Sequence, residues 1–337
     1  MGNTYIGRLS ESDPFYHYLR YDITPQMAGN AGHAKYRVFQ LNGSNDVYMY
    51  EDVSSGARVV GKFFLSDRNR NHARASHLVE KEFHNLHVMR NHGFTAFPHH
   101  VVRPLGYNHW TNHALVVEYH DEETLSRIIM AALYRGDRDR LFRKLTALAY
   151  FLATLHNRTA LDVSVDFNED CAYLDRLIAR LLAINAMKQH DAEEFYWLRD
   201  QWRCQRQMWE DRQVQVHGDA TPSNFLFGRG LNVIAIDLER FKQADRVFDV
   251  GRIAGELKHF FLSATGDRYA AEPFISHFLW EYACHFPDQL RAFHSITKRV
   301  PFHMGLTLLR IARNAWVGPE YRWQLITEAR NILRRFV

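Results

Sequence analysis

The chain lacks any apolar run near the roughly 18 residues that a membrane span needs. Its first residues, MGNTYIGRLSESD, carry no basic segment followed by an apolar stretch, so neither a spanning helix nor a secretory leader is expected. Residue 6 is Ile where N-myristoylation wants Ser or Thr, so no lipid anchor is expected. Cysteine is scarce. Cys171, Cys204 and Cys284 are odd in number and form no C-x-x-C pair, which excludes a disulfide framework and fits free thiols in the cytoplasm. Neither sign of charge dominates: 42 basic and 38 acidic residues are interspersed for a net +4, so a nucleic-acid surface is not implied and no membrane partner is expected. Histidine is plentiful, with nine of 20 between His72 and His113. No H-E-x-x-H or Cys/His ligand spacing organises them, so scattered surface histidines are expected there rather than a metal cluster.

What is present is an ordinary globular composition, 46% hydrophobic and 24% charged over 337 residues, enough for about two lobes. Residues 1–34 are rich in turn formers, with one short helix around Pro14 to Tyr21, and read as an N-terminal extension. From Lys35 short β-type runs follow at 36–41, 47–50 and 58–65, separated by Asn42-Gly43-Ser44-Asn45-Asp46 and Ser54-Ser55-Gly56, which is turn chemistry. A helix over about 76–91 and strands at 101–105 and 114–119 complete an antiparallel five-stranded sheet plus helix in residues 35–119. Residues 120–337 read as a larger, mostly helical lobe. Leu141, Leu145, Leu148, Leu152 and Leu155 mark one apolar face by steps of four and three. The fold class expected is α+β, two-lobed.

One β interruption breaks the helical lobe. Phe225-Leu226-Phe227 and Val233-Ile234-Ala235-Ile236 flank Gly228-Arg229-Gly230-Leu231-Asn232, a hairpin pattern. Polar residues surround it: His217-Gly218-Asp219 before it, Asn224 at its opening and Asp237 at its close. With the turn centred between Gly230 and Leu231, Asn224 and Asp237 are equidistant from it and face each other across the ladder. Directly opposed Cβ atoms lie about 4.5–5.5 Å apart, so their oxygens can share one small hard cation. Asp219 lies one tight turn away, where a carboxylate can position an acceptor hydroxyl without being consumed as a ligand.

The run His217-Gly218-Asp219-x-x-x-x-Asn224, followed by Ile236-Asp237-Leu238-Glu239, resembles the catalytic loop and metal aspartate of the aminoglycoside phosphotransferase and choline kinase-like small-molecule kinases. The resemblance spans about residues 36–260. Gly218 stands where the related protein-kinase pattern H-R-D-x-x-x-x-N has arginine, and no A-P-E segment follows, which points away from a phosphorylation-switched protein kinase. The resemblance implies a protein-kinase-like fold with ATP and Mg²⁺ as cofactors. It also implies Asp219 as the catalytic residue, Asn224 and Asp237 as metal ligands, and a small-molecule hydroxyl as acceptor.

It further implies roles in the N-terminal lobe. Lys62, on the third strand, is either an edge gatekeeper or the lysine that holds the α- and β-phosphates. Its helix partner is Glu82, four residues from both Leu78 and Leu86 on the inward stripe, with Glu80 as the alternative. Ser44 and Asn45 lie in a loop that either covers phosphates with backbone N–H groups or is a plain hairpin turn. The backbone at Glu118, Tyr119 and His120 would meet adenine. Asp249 resembles the family's structural aspartate, or is a helix N-cap. His217 reads as packing or loop-orienting rather than catalytic, and Glu239 either reaches the metal or pairs with Arg240 or Lys242. Two other readings stay open: a nucleotide-binding regulatory pseudokinase, and a kinase acting on a protein-bound sugar or side chain. The segment 162–175, with Asp162, Asp166, Glu169, Asp170 and Asp175 and no basic residue, suggests a cationic group on the acceptor, or simply helix-start and solvated loop charges.

Overall fold

Arg58–Phe63 and Ala114–Glu118 carry the runs Val59-Val60 and Leu115-Val116-Val117 that a sheet interior favours, and the structure pairs them antiparallel. This computed structural model describes residues 4–28, 34–41, 46–66 and 69–335. The chain forms two compact units, Met1–Glu122 with Ile234–Glu239, and Glu123–Val233 with Arg240–Val337.

In the first unit an antiparallel sheet runs in the order Thr4–Arg8, Tyr36–Gln40, Asp46–Asp52, Arg58–Phe63, Ala114–Glu118, Pro104–Asn108. It has six strands, where the sequence reading expected five. The added strand comes from the N-terminal segment: Thr4–Arg8 pairs with Tyr36–Gln40. Beyond it, Asp13 caps the helix Pro14–Tyr18 by accepting from Phe15 N–H. Phe15, Tyr16, Leu19 and Ile23 then share a core with Tyr36, Val38, Tyr50 and Val59, with the Phe15 and Tyr50 rings edge to face at 5.0 Å. The segment is therefore integral to this unit's core. The expected strand at 101–105 resolves into His99–Val101 and Pro104–Asn108. Pro104 offers no N–H, and it opens the strand at the sheet's edge, where none is needed. The helix His72–Asn91 buries Ala75, Val79, Glu82, Leu86 and Met89, a spacing that sets a carboxylate in an apolar stripe.

The second unit is helical. Leu141, Leu145, Leu148, Leu152 and Leu155 of Arg138–Arg158 are all fully buried, as their spacing requires. The helices Val247–Thr265 and Gln289–Ala312 approach closely because Gly251 and Gly255 carry no side chain. A Cβ at these positions would lie 2.4 Å from His303 Cβ and 2.6 Å from Thr307 Cβ. On the second of these helices, fully buried Arg299 spans Asp245 and Asp211, each at 2.5 Å. Removing one partner from such a buried pair costs about 3–5 kcal/mol. Among the described residues no helix is long and apolar enough to cross a membrane, and the three cysteines are free.

Candidate active site

Lys62 lies on an interior strand, paired with Val47 on one side and Leu115 on the other, so the edge-gatekeeper reading does not apply. Its ammonium donates to Glu82 Oε2 at 2.7 Å and to Asp237 Oδ1 at 2.8 Å, and sits 3.7 Å from Glu239 Oε2. Glu80, by contrast, is exposed and meets Ser76 and His109. The helix register thus selects Glu82. Burial works against the charge on Lys62, but Glu82, Asp237 and Glu239 outweigh it and push its pKa up. Glu82 is also pushed up, by burial above all and then by Asp237 and Glu239, against the pull of Lys62. Lys62 thus faces all three carboxylates. Oxygens of Glu82, Asp237 and Glu239 lie within 4.8 Å of one another, a donor set that fits a hard divalent ion.

Asp237 takes a left-handed backbone, φ 62°, uncommon for a non-glycine residue and typical of positions fixed by function. The strands of the hairpin end earlier than symmetry suggested, at Phe225–Phe227 and Val233–Ala235. Asn224 sits in the short helical turn Pro222–Asn224 and Asp237 lies past the second strand, so neither belongs to the ladder proposed from spacing. Next to Asp237, Leu238 is anchored by Asn85 Nδ2, which donates to its carbonyl at 2.7 Å. At the far end of Ala114–Glu118, the N–H of Glu118 donates to the Arg103 carbonyl at 3.0 Å, and Tyr119 donates its hydroxyl to Asp121. That N–H is therefore taken, and an adenine contact at Glu118 would need another backbone group. Ser44 and Asn45 lie outside the described residues.

The second unit builds the loop that carries Asp219. Gln213–Val216 pairs with Lys242–Asp245 and delivers His217, fully buried against the Phe225 ring at 5.0 Å. Asp249 is not a cap for its own helix. Its carboxylate accepts the N–H groups of His217 at 2.6 Å and Gly218 at 3.0 Å, with His156 Nε2 at 3.4 Å, so it clamps the loop from below. Gly218 has φ 77°, and a Cβ there would lie 1.9 Å from the Arg240 carbonyl oxygen, which is why no arginine or any other side chain can stand at this position. Asn224 donates Nδ2 to the Asp219 carbonyl at 2.9 Å. That orientation leaves Oδ1, which accepts a 3.3 Å bond from Ser223, as the atom with spare acceptor capacity.

Around Asp219 the structure adds residues that sequence reasoning missed. Arg252 and Arg310 donate to Asp219 Oδ1 at 2.9 and 2.7 Å, and Arg240 lies 3.9 Å from Oδ2. Glu256 accepts from Arg310 at 3.3 Å. Burial pushes the Asp219 carboxyl up, but Arg310, Arg252 and Arg240 together hold it below the usual range. Part of the acidic segment is paired locally. Asp175 pairs with Arg199 at 2.6 Å and Asp162 with Arg212 at 3.5 Å, Asp166 accepts from Asn168, and Glu169 and Asp170 occupy the first turn of Asn168–Ala183. Glu169 and Asp170 are thus placed to favour the start of this helix.

Residues 35–285 match the family described as the phosphotransferase enzyme family. The chain belongs to that family. No curated protein sequence matches it, whereas solved structures share the fold. A Plasmodium vivax ethanolamine kinase aligns with TM-score 0.61 at 14% identity, over 96% of this chain and 89% of its own. A Cryptosporidium parvum choline kinase gives 0.60 at 13% over 96% and 93%. The ADP-bound aminoglycoside phosphotransferase APH(2'')-Ib gives 0.56 at 13% over 98% and 100%. Identities this low speak for a shared protein-kinase-like fold. For a member of the phosphotransferase enzyme family, the two groups just described are a lysine–carboxylate cluster on one unit and a clamped aspartate loop on the other.

Proposed function

We propose that this phosphotransferase moves the γ-phosphoryl group of ATP to a hydroxyl of a small molecule, with Mg²⁺ required. The observation that carries the reading is the meeting of Lys62 with Asp237, 175 residues away in sequence, beside Glu82. An interior ammonium held by carboxylates on two sides is positioned to bind phosphate oxygens, and Glu82 fixes its direction. Asp237 supplies an anionic ligand and Asn224 Oδ1 a neutral one for the metal. When bound, Mg²⁺ neutralises charge on the phosphate oxygens as the phosphoryl group transfers. In the transfer itself the acceptor oxygen forms a bond to the γ-phosphorus, the bond to the bridging oxygen breaks, and ADP leaves. Asp219 orients the acceptor hydroxyl and takes its proton. The match of residues 35–285 to a phosphotransferase family favours the enzyme over a regulatory protein without turnover.

ATP with Mg²⁺ should raise the melting temperature of the wild-type chain, and the rise should be lost in Asp237→Ala. Asp219→Asn should keep the nucleotide-dependent rise and lose about 100-fold or more in transfer, the range of a missing general base. Wild-type turnover in Asp219→Asn would refute its role. Absence of any nucleotide effect on the wild type would refute the ATP reading.

A further inference from the structure

Two arginines close on the carboxylate that this reading makes the acceptor's base, and their donors are poorly used. Arg252 of Val247–Thr265 and Arg310 of Gln289–Ala312 both point Nη atoms at one oxygen, Asp219 Oδ1. An arginine fork normally grips a carboxylate through two parallel bonds, and here each guanidinium contributes one. Arg310 Nε is buried with no hydrogen-bond partner among the described residues. The Arg252 side chain is only 4% exposed and that of Arg310 16%. Lys242 adds to the same surface: its ammonium lies 4.5 Å from the centre of the Phe248 ring, which also carries Arg252 at 5.2 Å. Lys242 has Glu169 at 3.9 Å, across an exposed gap. Asp219 takes one bond from each guanidinium and Glu256 one more from Arg310, so Arg310 Nε is left over inside the group. A buried guanidinium N–H with no acceptor is costly to keep unless a ligand completes it.

We propose that the acceptor carries a carboxylate or phosphate beside its hydroxyl, and that Arg252 and Arg310 bind that anionic group. The inference rests on the reading of Asp219 as the base and names the substrate class for that site. Acceptor binding and base release are then one event. The incoming anion takes over the guanidinium donors that occupy Asp219 Oδ1, and the freed oxygen is available to the hydroxyl proton. A cationic acceptor would meet the guanidiniums instead, and two carboxylates of the acidic segment, Asp175 and Asp162, already have arginine partners.

The test uses four small hydroxyl probes of similar size: D-glycerate, glycerol 3-phosphate, glycerol and 2-amino-1,3-propanediol. Each is titrated calorimetrically into the whole chain at constant ionic strength, with and without Mg²⁺ and a non-hydrolysable ATP analogue, so that general screening drops out. One of the two anions should bind at least about tenfold tighter than the neutral and cationic probes, and which one binds separates carboxylate from phosphate. Arg310→Gln should abolish that preference, and Arg310→Lys, which keeps the charge, should retain most of it while its melting temperature controls for folding. Equal or tighter binding of glycerol or the aminodiol, no saturable anion binding, or unchanged anion binding in Arg310→Gln would each overturn the proposal. So would a loss in Arg310→Gln that falls on the ATP analogue instead, because the arginines would then serve the nucleotide. The nucleotide-free titration probes the anion site directly, so it distinguishes a failure of this proposal from a failure of ATP dependence.

Discussion

Asp170 shows what burial does to a carboxylate that has no close cation. Burial first, and then Asp245, push its carboxyl up to about 7, with Lys242 opposing. In the folded chain it therefore holds a proton that the unfolded chain has released above its ordinary value of 3.8. Stability must fall as pH rises through that window and level off above about pH 7. Asp170→Asn removes the penalty, so its advantage over wild type should grow by up to ~1.4 kcal/mol per pH unit between about pH 4 and 7. Urea midpoints at about pH 4, 6 and 8 measure this, and a pH-independent difference would reject it. At this scale the sequence was readable wherever partners lie close along one element. Glu82 follows from its helix stripe, and Asp219 and Asn224 from a six-residue loop. Arg252 and Arg310 were not readable, since 33 and 91 residues separate them from Asp219 and a basic residue within a helical pattern carries no mark of its tertiary partner.

The helix pair Val247–Thr265 and Gln289–Ala312 sets the distance between those two arginines. Gly255 lies three residues after Arg252, and Thr307 three before Arg310, and the two helices touch at Gly255 and Thr307. In Gly255→Ala the new methyl would sit 2.6 Å from Thr307 Cβ and 2.9 Å from Cγ2, so the helices must part. The expected cost is about 1–3 kcal/mol by overpacking, and, on the proposal that Arg310 holds the acceptor's anion, weaker acceptor binding as Arg310 shifts. Denaturant melts and an acceptor titration check both, and a neutral substitution would show that the contact is slack. Element identity was the most legible level: the helix at 76–91 and the leucine face at 141–155 are present with small shifts in their ends. The N-terminal segment was misjudged because its turn-forming composition masks Phe15, Tyr16, Leu19 and Ile23. Those side chains acquire an inside only once the sheet they cover exists.

At the level of the whole molecule, Ile234–Glu239 belongs to the first unit although the second unit begins at Glu123. Those few residues bring Asp237 and Glu239 to Lys62, the Leu238 carbonyl to Asn85, and the Ala235 carbonyl to the N–H of Val102 at 3.2 Å. A fragment of residues 1–122 leaves Asn85 and Val102 without these partners and Lys62 with Glu82 alone. It should unfold without a cooperative transition. Adding a peptide covering 232–241 should restore part of that transition, as followed by amide exchange. A cooperative fragment unaffected by the peptide would show that the sheet core is self-sufficient.

The same threading sets a timetable for synthesis. A ribosome releases the first 122 residues long before it makes Asp237, so the lysine strand must wait, unfinished, while residues 123–233 are translated. The first unit can close only after residues 123–233 of the second have been made, and domain-by-domain folding from the N-terminus is not open to this chain.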